Sequence, residues 1–389
     1  MPDHSADETF LQRALHLARQ GIGMASPNPY VGAIIVDAHG EVAGTGVYTY
    51  AGVKHAEILA LEQAGEKASG GTLYINLEPH SHQGRTPPCT DALIAAGVRR
   101  VVASMADPNP KVSGAGFEKL RTAGVQVEVG LLAEEARCLN EGFARYIRHG
   151  VPLVTLKSAM TLDGKIAPAS TRTASRQMGV PAGGWITGES ARAHVQERRH
   201  QSDALIAGIG TVLADDPLLT DRSGKPRRRP LLRVILDSHL RLPLESRLVK
   251  SVSNQDAGRS DLLVFCSSGE EKKKKELESR GISVERVPST ADGRTDLPAI
   301  LRRLGELAIT SVMIEGGATL NGNALGSGVV DKIFFYFAPK LLLDERSIPF
   351  ARGFGSEAQN LFTPIHQPRI HHFGADFAVE GYLRDPYEK

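Results

Sequence analysis

The chain has 389 residues, a length typical of two domains of ordinary size. Its 46 Lys and Arg residues nearly balance 44 Asp and Glu residues, so no overall field indicates a nucleic-acid or anionic-lipid partner. No apolar run approaches the roughly 20 residues of a membrane span, and the polar N-terminal stretch does not have a signal-peptide pattern. The three cysteines lie far apart, which argues against a disulfide framework. We therefore expect a cytoplasmic protein without a membrane or nucleic-acid partner.

Helical and strand patterns alternate through the first 150 residues. Apolar residues at helical spacing predict a helix over 7–20, and two apolar runs around a His-Gly turn predict a hairpin over 31–46. The later segments predict helices over 55–65, 89–98 and 116–123, and strands over 71–79, 99–108 and 125–130. This order predicts an α/β domain in which helices flank a sheet.

The stretch RYIRHGVPLVTLK contains a predicted domain boundary at His149-Gly150. We predict one domain over 1–149 and a second over 150–389. Apolar runs in the second domain predict strands near 152–158, 203–208, 231–237, 261–266, 311–315 and 331–337. Two segments rich in Ser, Thr, Gly, Pro and Arg, 167–184 and 221–230, are predicted loops.

The first candidate site combines a His-x-Glu pair with a downstream Cys. His55 and Glu57 begin a predicted helix, and Cys89 begins another after the stretch LEPHSHQGRTPPC. Zinc deaminases use His-x-Glu for one metal ligand and a proton-transfer carboxylate, and a second element supplies further ligands. The His-x-Glu pattern alone is weak, because it also occurs at ordinary helix starts. Its spacing from Cys89 makes a metal site the favoured interpretation.

The stretches SPNPYVGAIIV, HAEILAL, LEPHSHQGRTPPCTDALI and DPNPKVSGAGFEKLRTAGV closely resemble the deaminase half of the bifunctional riboflavin-biosynthesis deaminase-reductase family. The resemblance implies a cytidine-deaminase-like three-layer αβα domain that deaminates 2,5-diamino-6-(5-phosphoribosylamino)pyrimidin-4(3H)-one. By position it implies zinc ligands at His55, His80 and Cys89, with Glu57 as the catalytic proton shuttle. It also implies substrate contacts in this half at Asn28, His82 and Arg85.

Three residues depart from the family pattern: His80 replaces a Cys, Tyr48 replaces a His, and Lys54 replaces a Pro. Imidazole is an ordinary zinc ligand, so a His-His-Cys site is chemically reasonable. Losing one thiolate weakens the preference for a soft metal, however. The alternative hypothesis is therefore a reductase that carries a weakened or structural deaminase domain.

The second half contains polar residues at a strand exit, in KSAMTLDGKIA, and a Gly-Gly turn, in IEGGATLNGNAL. Glycines between a strand and a helix allow close approach of a phosphate, although this turn is not G-x-G-x-x-G and a plain tight turn is the alternative. These stretches, with GWITGESARAHVQERRHQSDALIAGIGTVLADDPLLTDR, are similar to the reductase half of the same family. The resemblance implies a dihydrofolate-reductase-like α/β domain that uses NADPH to reduce 5-amino-6-(5-phosphoribosylamino)uracil to its ribityl product.

By position, the resemblance places the site residues of the reductase half. The NADPH contacts are Ala159, Trp185, Thr211, Asp215, Ser238, Gly317, Ala318, Thr319, Leu320, Asn321, Gly322 and Asn323. The substrate contacts are Gly183, Arg199, Leu219, Arg222 and Glu315. Guanidinium groups at Arg199 and Arg222 suit a ribose 5-phosphate. Lys157 and Asp163 are our candidate catalytic residues.

Two other classes of protein are alternatives to this enzyme. An RNA- or DNA-base deaminase is disfavoured by the near-zero net charge and by the lack of a basic stripe with aromatic residues. A binding protein without catalysis would keep the nucleotide turn and the phosphate arginines but would not oxidise NADPH. We expect a small-molecule substrate and a homo-oligomer.

Overall fold

The computed structural model describes residues 4–82, 87–169, 184–252, 260–353 and 363–388. The chain divides into two compact units. The first contains the residues up to Gly150 together with Pro226–Arg229, and the second contains Val151–Lys225 and Pro230–Glu388. Within the described ranges, no helix is long and apolar enough to cross a bilayer.

The first unit is built around a five-stranded sheet. Its elements are α1 His4–Arg19, β1 Gly32–Val36, β2 Val42–Val47, α2 Ala56–Ala64, β3 Thr72–Ile75, α3 Cys89–Ala95, β4 Arg100–Ala103, α4 Ala115–Thr122, β5 Gln126–Val129 and α5 Ala133–His149. The strand order is β2-β1-β3-β4-β5, antiparallel for the first three strands and parallel from β3 to β5. Apolar clusters cover both faces of the sheet. The unit has the three-layer αβα architecture predicted from the sequence.

Helix α2 lies unusually close to strand β2, and two glycines make this approach possible. A Cβ atom at Gly44 would lie 2.1 Å from the Ala60 carbonyl oxygen, and one at Gly46 would lie 2.0 Å from the Ala56 carbonyl oxygen. Any larger residue at either position would push the helix away from the sheet. The glycines therefore fix the position of the first turn of α2, which carries Glu57.

Helix α5, the last helix of this unit, was not predicted from the sequence. The helix ends at His149 and is followed by Gly150, whose φ of +70° is the left-handed conformation typical of a residue after a helix C-terminus. Pro152 follows two residues later and cannot continue a helix.

The second unit contains a nine-stranded sheet with helices packed on both faces. Its elements are β6 Leu153–Thr161, β7 Lys165–Ala167, α6 Glu189–Gln201, β8 Ala204–Gly208, α7 Ile209–Asp215, β9 Leu232–Leu236, α8 Arg247–Lys250, β10 Leu262–Cys266, α9 Glu271–Glu278, β11 Ser283–Arg286, α10 Leu297–Glu306, β12 Ser311–Glu315, α11 Ala318–Gly326, β13 Lys332–Ala338, β14 Ile348–Pro349, β15 His366–Phe373 and β16 Asp376–Tyr382. The strand order is β11-β10-β9-β8-β12-β6-β13-β16-β15. In this order, all neighbouring strands from β11 across to β13 pair in parallel. Strands β16 and β15 are antiparallel additions at one edge.

All six strands predicted for the second half are present, within a few residues of the predicted bounds. They are the central parallel strands, which are buried on both faces by two large apolar clusters. Because the carboxyl ends of parallel strands lie at one edge of a sheet, the residues that follow β6, β8, β9 and β12 are placed along the same edge.

Candidate active sites

The three predicted metal ligands of the first unit converge. One side-chain atom from each of His55, His80 and Cys89 lies within 4.8 Å of the other two. His55 is the N-cap of α2, and Cys89 is the first residue of α3. His80 lies in the segment that follows β3. Three separate elements therefore bring together the donor set that the sequence predicted.

The His80 imidazole has the chemical state that a metal ligand needs. Its Nδ1 atom is buried and has no hydrogen-bond partner among the described residues. Its Nε2 atom lies 3.2 Å from Nε2 of His82, which helps to orient the ring. Burial, with the nearby charges of His82 and His55, lowers the pKa of His80 to about 4. The ring is therefore neutral at pH 7, and neutral imidazole is the ligating form.

The Cys89 thiol is completely buried, and its Sγ atom lies 3.2 Å from His55 Nδ1. A tetrahedral zinc site separates N and S ligands by about 3.5 Å, so the two atoms are close to ligating geometry. Burial and the neighbouring Glu57 carboxylate raise the pKa of the Cys89 thiol, and this outweighs the backbone N–H groups that lower it. A thiolate here therefore needs a cationic partner, and zinc supplies that charge. The donor set fits zinc.

Glu57 and Asn28 are held next to the ligands. Glu57 is 3% exposed in the first turn of α2. Asn28 Nδ2 donates to the Tyr48 hydroxyl oxygen at 2.5 Å. The Tyr48 ring in turn packs edge-on against the His55 ring, with centroids 5.6 Å apart. Tyr48, a departure from the family pattern, thus connects the predicted pyrimidine-contacting Asn28 to a metal ligand. Arg85 lies outside the described residues.

The candidate site of the second unit contains a buried charged triad. Residues Lys157 on β6 and Glu315 on β12 are directly paired in the parallel register. Arg199 donates two hydrogen bonds to the Glu315 carboxylate, at 2.7 and 2.9 Å, and Lys157 Nζ lies 3.7 Å from Glu315 Oε2. The structure therefore brings together Lys157, Arg199 and Glu315, which the sequence predicted separately.

Charge and burial act in opposite directions within this triad. Burial alone would raise the pKa of Glu315, but the positive charges of Arg199 and Lys157 outweigh it and lower the pKa to about 2. Burial lowers the pKa of Lys157, and the Glu315 charge only partly opposes this effect. A lysine whose pKa is lowered gives up its proton more readily, which suits a proton donor.

The predicted cofactor turn has an open backbone at a helix start. Gly317 is the N-cap of α11, and a Cβ atom placed on it would approach only Thr211 Oγ1 among the described atoms, at 4.0 Å. Thr211 and the Gly317 turn are therefore adjacent, as expected for residues that contact one ligand. The backbone N–H groups at the start of α11 can bind a phosphate. These features fit a phosphate-bearing cofactor such as NADPH.

The later part of the cofactor turn points into the protein. Leu320, Asn321 and Gly322 are buried, and a Cβ at Gly322 would lie 1.8 Å from the Arg352 carbonyl oxygen. Asn321 Nδ2 donates to the Phe350 carbonyl oxygen at 2.6 Å. These residues therefore shape the turn from inside, and the exposed Thr319 stands at its surface.

Three of the remaining predicted cofactor residues lie on β6 or on segments that follow other central strands, and Trp185 lies shortly before α6. Ala159 is on β6, Asp215 ends α7 and Ser238 follows β9. Trp185 is partly exposed; the Arg192 guanidinium lies 4.8 Å from its ring centroid, and Lys340 Nζ donates to the neighbouring Ile186 carbonyl oxygen. Gly183 lies outside the described residues.

Asp163 holds a turn in place. Its carboxylate accepts hydrogen bonds from the Thr161 hydroxyl, at 2.5 Å, and from the backbone N–H groups of Leu342 and Leu343. The bond from Thr161 is the main reason that the pKa of Asp163 falls to about 2. These contacts are those of a residue that fixes a turn. A direct part of Asp163 in proton transfer stays a prediction.

The sequence reasoning missed the residues that support the predicted substrate contacts. Gln196 and His200 on α6 contact the turn that carries Leu219 and Arg222, and Asp221 belongs to that turn. The His200–Asp221 pair joins residues 21 positions apart. No local sequence pattern indicates such a pairing, because it depends on how α6 packs against the following loop.

The αβα unit has a His-His-Cys donor set, and the parallel-sheet unit has an open glycine turn at a helix start. Together they define a class of protein: a zinc deaminase joined to a nucleotide-dependent reductase. Two family models agree with this division. The model described as "Cytidine and deoxycytidylate deaminase zinc-binding region" matches residues 4–105, and the "RibD C-terminal domain" model matches residues 152–365.

Relatives that match over nearly the whole of this chain identify one family within this class. The riboflavin biosynthesis protein RibD of Aquifex aeolicus is 39% identical over 96% of this chain and 97% of its own length, and that of Escherichia coli is 41% identical over 92% and 91%. A solved structure of Acinetobacter baumannii RibD has 35% identity and a TM-score of 0.80, covering 97% of this chain and 99% of that one. The chain belongs to the bifunctional riboflavin-biosynthesis deaminase-reductase family. It is a bifunctional enzyme that uses zinc and NADPH.

A solved structure from Thermotoga maritima, with 35% identity and a TM-score of 0.78, covers 97% of this chain and 99% of that one. That protein is described as a diaminohydroxyphosphoribosylaminopyrimidine deaminase and 5-amino-6-(5-phosphoribosylamino)uracil reductase. The resemblance stated from the sequence motifs is therefore confirmed at the level of the family and the fold.

Proposed function

We propose that the chain catalyses two consecutive steps. The first unit deaminates 2,5-diamino-6-(5-phosphoribosylamino)pyrimidin-4(3H)-one, and the second reduces the ribosyl group of 5-amino-6-(5-phosphoribosylamino)uracil to ribityl. The observation that carries the proposal is the convergence of His55, His80 and Cys89 beside Glu57. This convergence favours a working deaminase over the alternative of a purely structural first unit, because a scaffold has no need of a complete donor set.

In the deaminase unit, His55, His80 and Cys89 would hold the zinc, which would supply the Lewis acidity that makes an attacking water acidic near neutral pH. The Glu57 carboxylate takes a proton from this water and delivers it to the amino nitrogen that leaves as ammonia. Asn28, positioned by Tyr48, contacts the pyrimidine. The burial of Glu57 keeps bulk water from competing for its proton.

In the reductase unit, Thr211 and the Gly317 turn would hold NADPH, which would supply the hydride that C1′ of the ribosyl group receives. The bond from C1′ to the ring oxygen breaks, and the Lys157 ammonium donates a proton to that oxygen. Glu315 offsets the charge of Lys157, and Arg199 holds the Glu315 carboxylate in position. Asp163 fixes the turn after β6 and is a secondary candidate for catalysis.

The assignment of individual contacts follows the resemblance and is part of the proposal, as are the domain limits of 1–149 for the deaminase and 150–389 for the reductase. Proposed NADPH contacts are Ala159, Trp185, Thr211, Asp215, Ser238 and the turn 317–323. Proposed substrate contacts are Asn28, His82, Arg85, Gly183, Arg199, Leu219, Arg222 and Glu315. Arg199 already bonds to Glu315, so the exposed Arg222 is the better placed of the two arginines to bind a phosphate.

A homo-oligomer in the cytoplasm completes the proposal. Strand β15 is the edge of the nine-stranded sheet, and most of its residues are exposed, including Ile370 at 65%. An exposed edge strand with an apolar residue is a natural surface for pairing with a second copy. The three cysteines, Cys89, Cys138 and Cys266, form no disulfide, which suits a reducing compartment.

The unusual ligand His80 provides the test of the deaminase proposal. We expect His80→Ala to lower both zinc content and ammonia release from the diaminopyrimidinone, because one of three ligands is lost and the loss of a second-shell partner alone lowers metal affinity by roughly 10- to 100-fold. We expect His80→Cys to bind about one zinc per chain and to release ammonia within the same order of magnitude as the wild type. Elemental analysis and an ammonia assay measure both. If His80→Ala keeps its zinc and its activity, His80 is not a ligand.

A further inference from the structure

Three side chains on one face of α6 contact the turn that carries Arg222. Gln196 Oε1 accepts a hydrogen bond from the Arg222 backbone N–H at 3.0 Å, and Arg199 Nη1 donates to the Thr220 carbonyl oxygen at 2.9 Å. His200 Nδ1 lies 3.2 Å from Asp221 Oδ2. Residues three and four positions apart lie on the same side of a helix, so α6 holds three consecutive residues of the turn from one side.

The His200–Asp221 contact is the buried part of this arrangement. The side chains of His200 and Asp221 are only 5% and 7% exposed. The other carboxylate oxygen of Asp221 accepts the Ser223 backbone N–H at 2.9 Å. Because a carboxylate only accepts hydrogen bonds, His200 is the donor, through Nδ1–H. A buried carboxylate that loses such a partner is strongly destabilised, so the pair is held in one geometry.

The backbone of the turn also needs support. Leu219 is buried and has a φ of +55°, a conformation that a Leu residue rarely adopts. Such a conformation persists only where the surroundings fix it. The contacts from α6 to Thr220, Asp221 and Arg222 immediately follow this residue, and they determine the direction in which the Arg222 side chain leaves the turn.

We propose that His200 and Asp221 are a positioning pair that holds Arg222 for the 5-phosphate of the substrate, and thereby sets the preference of the reductase for phosphorylated over dephosphorylated substrate. The proposal rests on the proposed role of Arg222 as a substrate contact. Neither His200 nor Asp221 touches the substrate; both act through the turn. The Arg199 guanidinium is committed to Glu315 and Thr220, so the phosphate preference depends on Arg222 being held in one place.

The test compares KM for two substrates: 5-amino-6-(5-phosphoribosylamino)uracil and the same compound without its phosphate. In the double variant His200→Phe/Asp221→Leu, the two buried polar side chains are removed together, and the Ser223 backbone N–H also loses its acceptor. We expect KM for the phosphorylated substrate to rise about tenfold, with a smaller change in kcat. We expect KM for the dephosphorylated substrate and for NADPH to change by less than about twofold.

Two further variants make the result decisive. In Asp221→Asn the single amide oxygen can accept from His200 or from Ser223 but not from both, because the two bond to different oxygens of Asp221, so we expect an intermediate KM for the phosphorylated substrate. In Arg222→Met we expect a larger loss, again confined to the phosphorylated substrate. If Arg222→Met leaves that KM unchanged, the proposed role of Arg222 is wrong.

If Arg222→Met raises KM but the double variant does not, the positioning role is overturned. A rise in every KM together with a lower melting temperature would also overturn it, because it would show that the pair only stabilises the fold. KM for NADPH serves as the internal control for folding of the reductase unit in each variant.

Discussion

Replacing Glu57 with Gln is expected to lower ammonia release from the diaminopyrimidinone by roughly 10²- to 10⁴-fold. The Gln side chain is nearly the same size but cannot accept a proton from the attacking water and return it to the leaving amine. Glu57 is not one of the three converging ligands, so zinc content is expected to stay at about one per chain. A single-turnover ammonia assay and elemental analysis of the same preparation measure both quantities.

Glu62→Gln is the matched control, since Glu62 is an exposed residue of the same helix that pairs with Lys54. This variant is expected to release ammonia at close to the wild-type rate. NADPH oxidation with the deaminated intermediate is expected to be unchanged in both variants. A Glu57→Gln enzyme as fast as the wild type would remove Glu57 from the mechanism.

Lys157→Met is expected to lower kcat for NADPH oxidation by roughly 10²- to 10⁴-fold, because the ring oxygen that leaves C1′ then has no positioned proton donor. Methionine fills most of the same volume but carries no charge. Glu315 would retain its paired hydrogen bonds from Arg199, so the fold of the unit is expected to persist. Steady-state NADPH oxidation with the deaminated intermediate measures the change.

The pH profile separates a proton donor from a structural lysine. Burial lowers the pKa of Lys157, so in the wild type the protonated, active form is lost as pH rises, at a lower pH than for an exposed lysine. The alkaline limb of the kcat profile is expected to disappear in Lys157→Met. Lys272→Met, at an exposed position on α9, is the matched control. Should Lys157→Met keep the wild-type profile at a reduced rate, another group donates the proton.

The sequence predicted best those strands in which every residue is buried. The central strands of the second unit are nearly uninterrupted apolar runs, such as Leu262–Cys266, and such runs are typical of parallel strands covered on both faces. Strand β15 was missed because His366–Phe373 is an exposed edge strand rich in His, without the alternation that marks a half-buried strand. Its partner β16 pairs with β13, an association that no local pattern indicates.

In the candidate sites, too, local motifs predict some residues, and only the three-dimensional fold brings the others together. His55, Glu57 and Cys89 follow from motif spacing, because each stands at the start of a helix, and the resemblance to the family adds His80. The triad of Lys157, Arg199 and Glu315 depends on the neighbouring positions of β6 and β12 and on the packing of α6, which only the fold provides. The connection from Asn28 through Tyr48 to His55 is also three-dimensional.

The central claim is that one chain carries a zinc-dependent deaminase and a zinc-independent reductase. Its most direct test is to remove the metal with a chelator and to measure both half-reactions on the same protein. We expect the metal-free chain to lose ammonia release and to regain it when zinc is added back. We expect NADPH oxidation with the deaminated intermediate to continue at the original rate throughout. Ammonia release that survives without metal, or NADPH oxidation that is lost with it, would contradict the account.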